Sequence, residues 1–299
     1  MKKITFRNIA ILITLLLTAS ALQAGSGTPT LAELSNATYT GTEGGPVSLL
    51  NGSWEGKPYV EGGASRPTAG LLDDVYYTGD FNGDGVEEAV VVLWRNGGGT
   101  GEYSYVVVMA REKGGIENIG TALIGDRVKL RSGKVVDGKI ILEVLQAGEN
   151  DGMCCPTMLA TRTWSLHDGQ LEESEIEVTG KLSLATLAGT EWVLTHMNRE
   201  ETLMDGAEVT LAFADGRIAG KSACNRYSAG IEEGENAGNI KIGQSMGTKM
   251  ACPNELMKVE REYLEALSHV SSFSFLAGSL VLSGQKEDGT VLSMLFSKK

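Results

Sequence analysis

Histidine is scarce in this chain, with only His167, His196 and His269 among its 299 residues. None of the three is spaced with another histidine or a cysteine as zinc sites require, so the sequence assembles no zinc motif. Their contexts also predict no Ser-His-Asp or Cys-His catalytic group, whose members meet only in the folded chain. The sequence therefore gives no support for an enzyme, and a non-catalytic protein is the favoured interpretation.

Positively charged residues are also few. The chain has 26 Lys and Arg and 38 Asp and Glu, which gives a net charge of −12. An acidic surface repels phosphate backbones and anionic lipids, so we expect no nucleic-acid partner. Divalent cations and basic partners remain compatible with this charge, although it can also serve solubility alone.

Long hydrophobic runs are absent except near the N-terminus, where residues 9–17 are interrupted only by Thr14. Lysine and arginine precede this run and small residues follow it up to Ala24, which is typical of a secretory signal peptide over residues 1–24. The run is shorter than the roughly 20 residues that a spanning helix needs, although an uncleaved anchor is the alternative. We expect a periplasmic or secreted protein with no transmembrane helix in its mature form.

The remainder is predicted to contain a leader and two folded units. Residues 25–70, rich in Gly, Ser and Thr, predict a loosely ordered leader with a strand or two. Runs of β-branched and aromatic residues, separated by Gly and Asp clusters, predict a β-rich domain over residues 71–177, with a hairpin turn at Asp168-Gly169. The clearest of these runs are residues 75–77, 89–94, 103–109, 140–145 and 161–166. Residues 178–183 are the predicted linker to a second unit at 184–299, and the fold class is mainly β or α+β.

One segment of the β-rich domain carries oxygen-bearing side chains at every second position, between two predicted strands. The predicted calcium ligands there are Asp80, Asn82, Asp84, the carbonyl of Val86, and Glu88. An EF-hand would need a glutamate at the twelfth position and flanking helices, but a valine stands there and the flanks predict strands, so that motif is excluded.

The same segment, residues 79–93, resembles the Asp-x-Asn-x-Asp-Gly loops of FG-GAP repeats. This resemblance implies a calcium site within a β-domain, closed by the carboxylate of Glu88. The alternative is a turn rich in Asp and Asn that joins two strands without any metal, because these residues favour turns through their own hydrogen bonds.

The last third of the chain holds three motifs in a fixed order: Thr190-Glu-Trp, Cys224-Asn-Arg-Tyr and Met250-Ala-Cys-Pro, the last at the start of a helix-like segment. Over about residues 184–296 this order resembles the META domain, the HslJ-like family of bacterial envelope proteins. The resemblance implies a curved antiparallel sheet with one helix packed across it. Members of the family are associated with heat stress, drug tolerance and secretion or motility, and no family-wide catalytic reaction is implied.

Four cysteines in an exported protein allow three pairings. Cys224 and Cys252 share the META-like unit and Cys154 and Cys155 share the other, so the simplest pattern joins the members of each pair. The alternatives for the adjacent Cys154 and Cys155 are a redox centre or a soft metal clamp.

Beside the predicted bridge, Asn225, Arg226 and Tyr227 are candidates for a polar binding pocket. The alternative is structural, because Asn near a turn often supports the backbone and Tyr often packs its ring while its hydroxyl finds a partner.

The leading functional hypothesis is a non-catalytic envelope protein that binds another protein or a cell-wall component and supports the cell under stress. One rival is a hydrolase or inhibitor-like protein that acts on envelope polymers through a metal at the Asp80 loop. The other is a purely structural spacer held by disulfides and calcium.

Overall fold

A computed structural model describes residues 27–152, 155–198 and 201–299. The predicted signal peptide at residues 1–24 and Cys154 lie outside these ranges. The described chain is mostly antiparallel β-structure with two α-helices, which confirms the predicted fold class. Neither helix in the described ranges has the length and apolar character needed to cross a membrane.

The N-terminal segment is packed against the rest of the molecule. It contains α1 (Leu31–Leu34), β1 (Thr38–Tyr39) and β2 (Val47–Ser48), and Thr30 and Glu33 form a capping box at the start of α1. Buried side chains from this segment, Leu34, Tyr39, Val47 and Leu49, join one core cluster with the first large sheet. The expectation of a loosely ordered leader is wrong for the described residues, because these few apolar side chains suffice to cover one face of that sheet.

The first sheet has five antiparallel strands in sequential order. They are β3 (Ser53–Glu55), β4 (Thr68–Gly79), β5 (Glu88–Asn96), β6 (Tyr103–Glu112) and β7 (Gly115–Asp126). Both faces of its centre are buried: Val91 and Leu93 face the N-terminal segment, while Val90 and Val92 face a second sheet. This explains the nearly continuous apolar runs of β5 and β6.

The second sheet packs on the first through a shared cluster that includes Ile140, Leu142 and the fully buried Trp164. Its strands are β8 (Lys129–Val136), β9 (Lys139–Gln146), β10 (Met158–His167), β11 (Gln170–Glu173) and β12 (Glu177–Lys181). The predicted hairpin turn joins β10 to β11, and its Asp168 and Gly169 both have positive φ. Strand β12 pairs with β10 and takes up much of the predicted linker at 178–183.

The C-terminal unit begins with a 3₁₀ turn at Leu184–Leu187. Its strands are β13 (Glu191–Met197), β14 (Glu201–Thr202), β15 (Thr210–Ala214), β16 (Arg217–Ser222), β17 (Asn225–Glu233), β18 (Ile240–Ile242), β19 (Met246–Gly247), β20 (Val270–Leu276), β21 (Ser279–Gln285) and β22 (Val291–Lys298). The main path of this sheet runs β18-β17-β16-β15-β13-β22-β21-β20. A bridge between Asn239 and Ser272 brings its two ends together, so the sheet curls into a nearly closed barrel.

The predicted helix is α2 (Asn254–Ser268), which begins directly after Pro253. Tyr263, Ala266 and Leu267 are buried in the core of the barrel. The helix ends at Ser268, and Val270 begins β20.

The tip of the β20–β21 hairpin joins the two units. Ala277 packs against the cluster between the first two sheets, and the backbone N–H of Gly278 donates to the carbonyl of Leu130 at 2.9 Å. The guanidinium of Arg131 lies 5.0 Å from the centroid of the Phe275 ring. The hairpin tip therefore adds to the core between the first two sheets, while Leu145 and Leu159 of the second sheet pack into the core of the C-terminal unit.

Candidate functional site

The Asp80 loop joins β4 to β5 and bonds its own backbone. The carboxylate of Asp80 accepts hydrogen bonds from the N–H groups of Gly83 at 2.7 Å and Gly85 at 3.1 Å. Asn82 Oδ1 accepts from the N–H of Asp84, and Asp84 Oδ1 accepts from the N–H of Val86. These are the local turn bonds of the metal-free interpretation.

Glu88, the first residue of β5, closes the loop from a buried position. Its carboxylate accepts from the N–H of Phe81 at 2.8 Å and from Asn82 Nδ2 at 2.9 Å. Burial raises the pKa of Glu88, and the charges of Asp84 and Asp80 raise it further, whereas the two hydrogen bonds oppose the shift.

Three of the predicted calcium ligands are brought together, since carboxylate oxygens of Asp80, Asp84 and Glu88 lie within 4.8 Å of one another. Hard oxygens of this kind suit calcium. Asn82 turns its amide nitrogen toward Asp84 and Glu88, so its oxygen would have to rotate inward to serve as a ligand. Metal binding here stays a prediction, as does the role of the Val86 carbonyl.

The predicted bridge between Cys224 and Cys252 is present, with 5.9 Å between the two Cα atoms. It ties the turn between β16 and β17 to the residue before Pro253, where α2 starts. The predicted bridge between Cys154 and Cys155 stays a prediction, because Cys154 lies outside the described residues.

Asn225 is buried, and its side chain connects three distant parts of the chain. Its Oδ1 accepts from Thr248 Oγ1 at 2.8 Å and from the N–H of Met250 at 2.7 Å. Its Nδ2 and backbone N–H donate to Glu260 of α2, whose Oε2 also accepts from Ser222 Oγ. Asn225 therefore fixes the loop before α2 and the helix itself against β17.

Tyr227 is also buried, and its ring packs edge-on against Tyr263 of α2 at a centroid distance of 5.4 Å. Its hydroxyl donates to the carbonyl of Thr210 at 3.0 Å, and it also shares a hydrogen bond with the hydroxyl of Tyr263. Burial raises the pKa of both phenols, so both stay neutral at physiological pH.

The predicted binding role of Asn225, Arg226 and Tyr227 stays a prediction, although the structure places the three side chains differently. Side chains alternate between the two faces of a strand, so β17 turns Asn225 and Tyr227 inward and leaves only Arg226 exposed. Arg226 is the exposed member of the three, and Tyr227 also lines the groove beside it.

Arg226 lines a groove of about 710 Å³ on the outer face of the curled sheet. Two ion pairs flank it, Lys221 with Glu208 at 3.1 Å and Lys299 with Glu191 at 3.5 Å. Arg226 has no acidic partner among the described residues. Sequence reasoning missed this groove, because its walls come from strands far apart in the chain.

The C-terminal unit is a curled antiparallel sheet with the helix α2, and the disulfide links the sheet to the start of that helix. Residues 185–298 match the family model described as META domain, which confirms the resemblance stated above. The C-terminal unit of this chain is therefore a META domain.

A solved structure described as the NMR structure of the protein from Burkholderia xenovorans is 23% identical over 39% of this chain and 86% of that one. Its TM-score of 0.32 is too low to support any argument about the fold. A comparison with curated proteins found no match.

Proposed function

We propose that this protein is an exported, non-catalytic module of the bacterial envelope, which binds a protein or a cell-wall component and supports the cell under stress. The observation that carries the proposal is the disulfide between Cys224 and Cys252 inside the META domain. Disulfides of this kind form and persist in oxidising compartments such as the periplasm. The predicted signal peptide at residues 1–24 supports the same location.

The geometry of the motif favours binding at the groove over chemistry at the motif itself. The side chains of Asn225, Tyr227 and Glu260 form internal hydrogen bonds, so we assign them a structural role. Arg226 stands exposed beside them without a carboxylate partner in the described chain. An arginine of this kind suits a partner that offers carboxylate or other acceptor groups, which it can bind through two parallel hydrogen bonds.

The test is chemical cross-linking in living cells, followed by mass spectrometry of captured material, for the parent protein and for Arg226→Ala. The matched control is Arg217→Ala, an exposed arginine on the neighbouring strand β16 that does not line the groove. We expect Arg217→Ala to capture the same partner as the parent and Arg226→Ala to lose it, with unchanged unfolding midpoints for both.

Equal capture by Arg226→Ala would remove the groove from the proposal, and no capture by any variant would contradict the binding role. Fractionation of the same cells tests export: recovery of the parent protein from the cytoplasm with Cys224 and Cys252 as free thiols would contradict it.

We also propose that calcium binds the Asp80 loop and stabilises the β-rich domain. The proposal is supported by the hard-oxygen donor set of Asp80, Asp84 and Glu88. Calcium at a hundred times its dissociation constant should add about 2.7 kcal/mol to the free energy of unfolding. We expect Asp84→Asn to lose this gain.

The matched control for the calcium test is Asp151→Asn, because Asp151 makes the same kind of local turn bonds to the N–H groups of Gly148 and Thr157. This variant should keep the full response to calcium. A melting temperature of the parent that is the same in calcium and in chelator would sink the calcium proposal. A chelator-sensitive activity on envelope polymers would instead favour the metal-dependent hydrolase.

A further inference from the structure

A small cavity lies where the META domain meets the first sheet. Its volume is about 350 Å³, in the range of pockets that hold small molecules, and such pockets are common between domains. One side is formed by Leu71, Leu72 and Trp94 from β4 and β5, and the other by Leu276 and Leu295 of the META domain. The cavity is therefore largely apolar on two sides.

Two carboxylates, those of Asp74 and Glu102, also line the cavity, and no lysine or arginine does. Neither carboxylate makes an ion pair or a hydrogen bond in the described chain. The nearby Asp126, by contrast, is paired with Arg127 at 2.7 Å. The cavity lining thus contains two carboxylates that are in no ion pair within the described chain.

A bulge in β4 places Asp74 at the cavity. Between the pairs Leu71–Leu93 and Tyr76–Val91, four residues of β4 oppose a single residue of β5. Asp74 has a φ of +59°, in the left-handed region that residues other than glycine seldom adopt. Asp74 therefore has no paired residue on β5. Bulges often lie next to binding sites, where they redirect a side chain.

His196 and Trp94 add two further features to the lining. The Nδ1 atom of His196 is buried and has no hydrogen-bond partner. The Trp94 ring lies over Gly70, where a Cβ would approach ring atom Cζ2 to 2.8 Å, so glycine leaves space for the indole. Indole faces attract cations, so Trp94 suits a positively charged ligand.

We propose that this cavity binds a small organic cation, an amine with an apolar body. The ammonium group lies against the carboxylates of Asp74 and Glu102, and the apolar body packs on Trp94 and the leucines. The site is separate from the Arg226 groove and from the Asp80 loop, and it does not depend on the role proposed for either.

The first test is isothermal titration of the purified full-length protein with 2-phenylethylamine, which is cationic at neutral pH. The comparison ligands are neutral 2-phenylethanol and anionic 3-phenylpropionate, which have similar bodies. We expect the amine to bind about tenfold tighter than the alcohol or better, and the anion not to bind.

The second test is the double variant Asp74→Asn, Glu102→Gln. Asparagine tolerates the left-handed backbone at position 74, so the fold should persist, as the unfolding midpoint will show. The matched control is Asp137→Asn, Glu112→Gln, in which Asp137 is also left-handed and both residues are exposed away from the cavity.

We expect the cavity variant to bind the amine about tenfold more weakly and to lose its preference over the alcohol, and the control to bind like the parent. The proposal is overturned by absent binding of the amine up to about 10 mM, by equal affinity for amine and alcohol, or by undiminished binding in the cavity variant.

Discussion

The Asp80 loop and the segment from Cys224 to Tyr227 are both short polar stretches, but they are held by opposite kinds of contact. The bonds of the Asp80 loop connect residues no more than seven positions apart, as between Phe81 and Glu88. Asn225 instead bonds to residues up to 35 positions away, as with Glu260. Substitutions in the locally bonded Asp80 loop should therefore leave the rest of the fold intact. Substitutions in the segment from Cys224 to Tyr227 should instead disturb contacts between distant parts of the META domain.

The largest test of this contrast is removal of the bridge by Cys224→Ala with Cys252→Ala. The bridge spans 28 positions, and opening a loop of this length should lower the free energy of unfolding by about 3 to 4 kcal/mol. Denaturant unfolding measures the loss, and substitution is preferred to a reductant because Cys154 and Cys155 stay untouched. An unchanged midpoint would show that the bridge does not hold the domain.

A matched pair of asparagine variants gives the next largest effect. Asn225→Ala leaves the N–H of Met250 and part of Glu260 without their partner, so we expect a loss of about 2 to 3 kcal/mol. Asn82→Ala removes only local bonds of an exposed side chain and should cost less than about 1 kcal/mol. Equal losses in denaturant unfolding would break the comparison.

The smallest effect is on the pH dependence of stability. Burial raises the pKa of Glu88, so its stabilising contribution is complete below the ordinary value of 4.5 and is lost as the pH rises through the raised pKa. Glu88→Gln should therefore gain on the parent as the pH rises from about 4 toward neutrality. Unfolding curves across this range measure the difference, and a constant difference would contradict the assignment.

Glu33 is the control of opposite sign for this pH experiment. Hydrogen bonds from Arg111 and Thr30 lower the pKa of Glu33 to about 2, so its contribution is present above 4.5 and is lost as the pH falls toward 2. Glu33→Gln should therefore lose stability relative to the parent at neutral pH and approach it in acid.

Local patterns predicted the elements whose residues carry their own signal. The β-branched run at residues 89–94 became β5, and the periodic segment after Pro253 became α2. The carboxylates of the Asp80 loop also came together, because their spacing alone places them in one turn.

Other features depend on partners that no local pattern reveals. Strands β7 and β8 were not predicted. Glycine and charged residues interrupt the alternation of apolar and polar residues that marks a strand. The burial of Asn225 follows from Glu260 on a distant helix, and the sequence shows no link between the two. The packed N-terminal segment was missed because its few apolar residues are buried only once the first sheet exists to receive them.

The hairpin tip at Ala277 has a consequence for the order in which the chain matures. A ribosome releases residues 75–171 of the first core long before it has synthesised residue 277, yet Ala277 packs against that core and Gly278 bonds to Leu130. The core of residues 75–171 therefore gains its last contacts in chain order only when residues 277 and 278 reach it. A segment late in the chain thus contributes to a core built from residues much earlier in it.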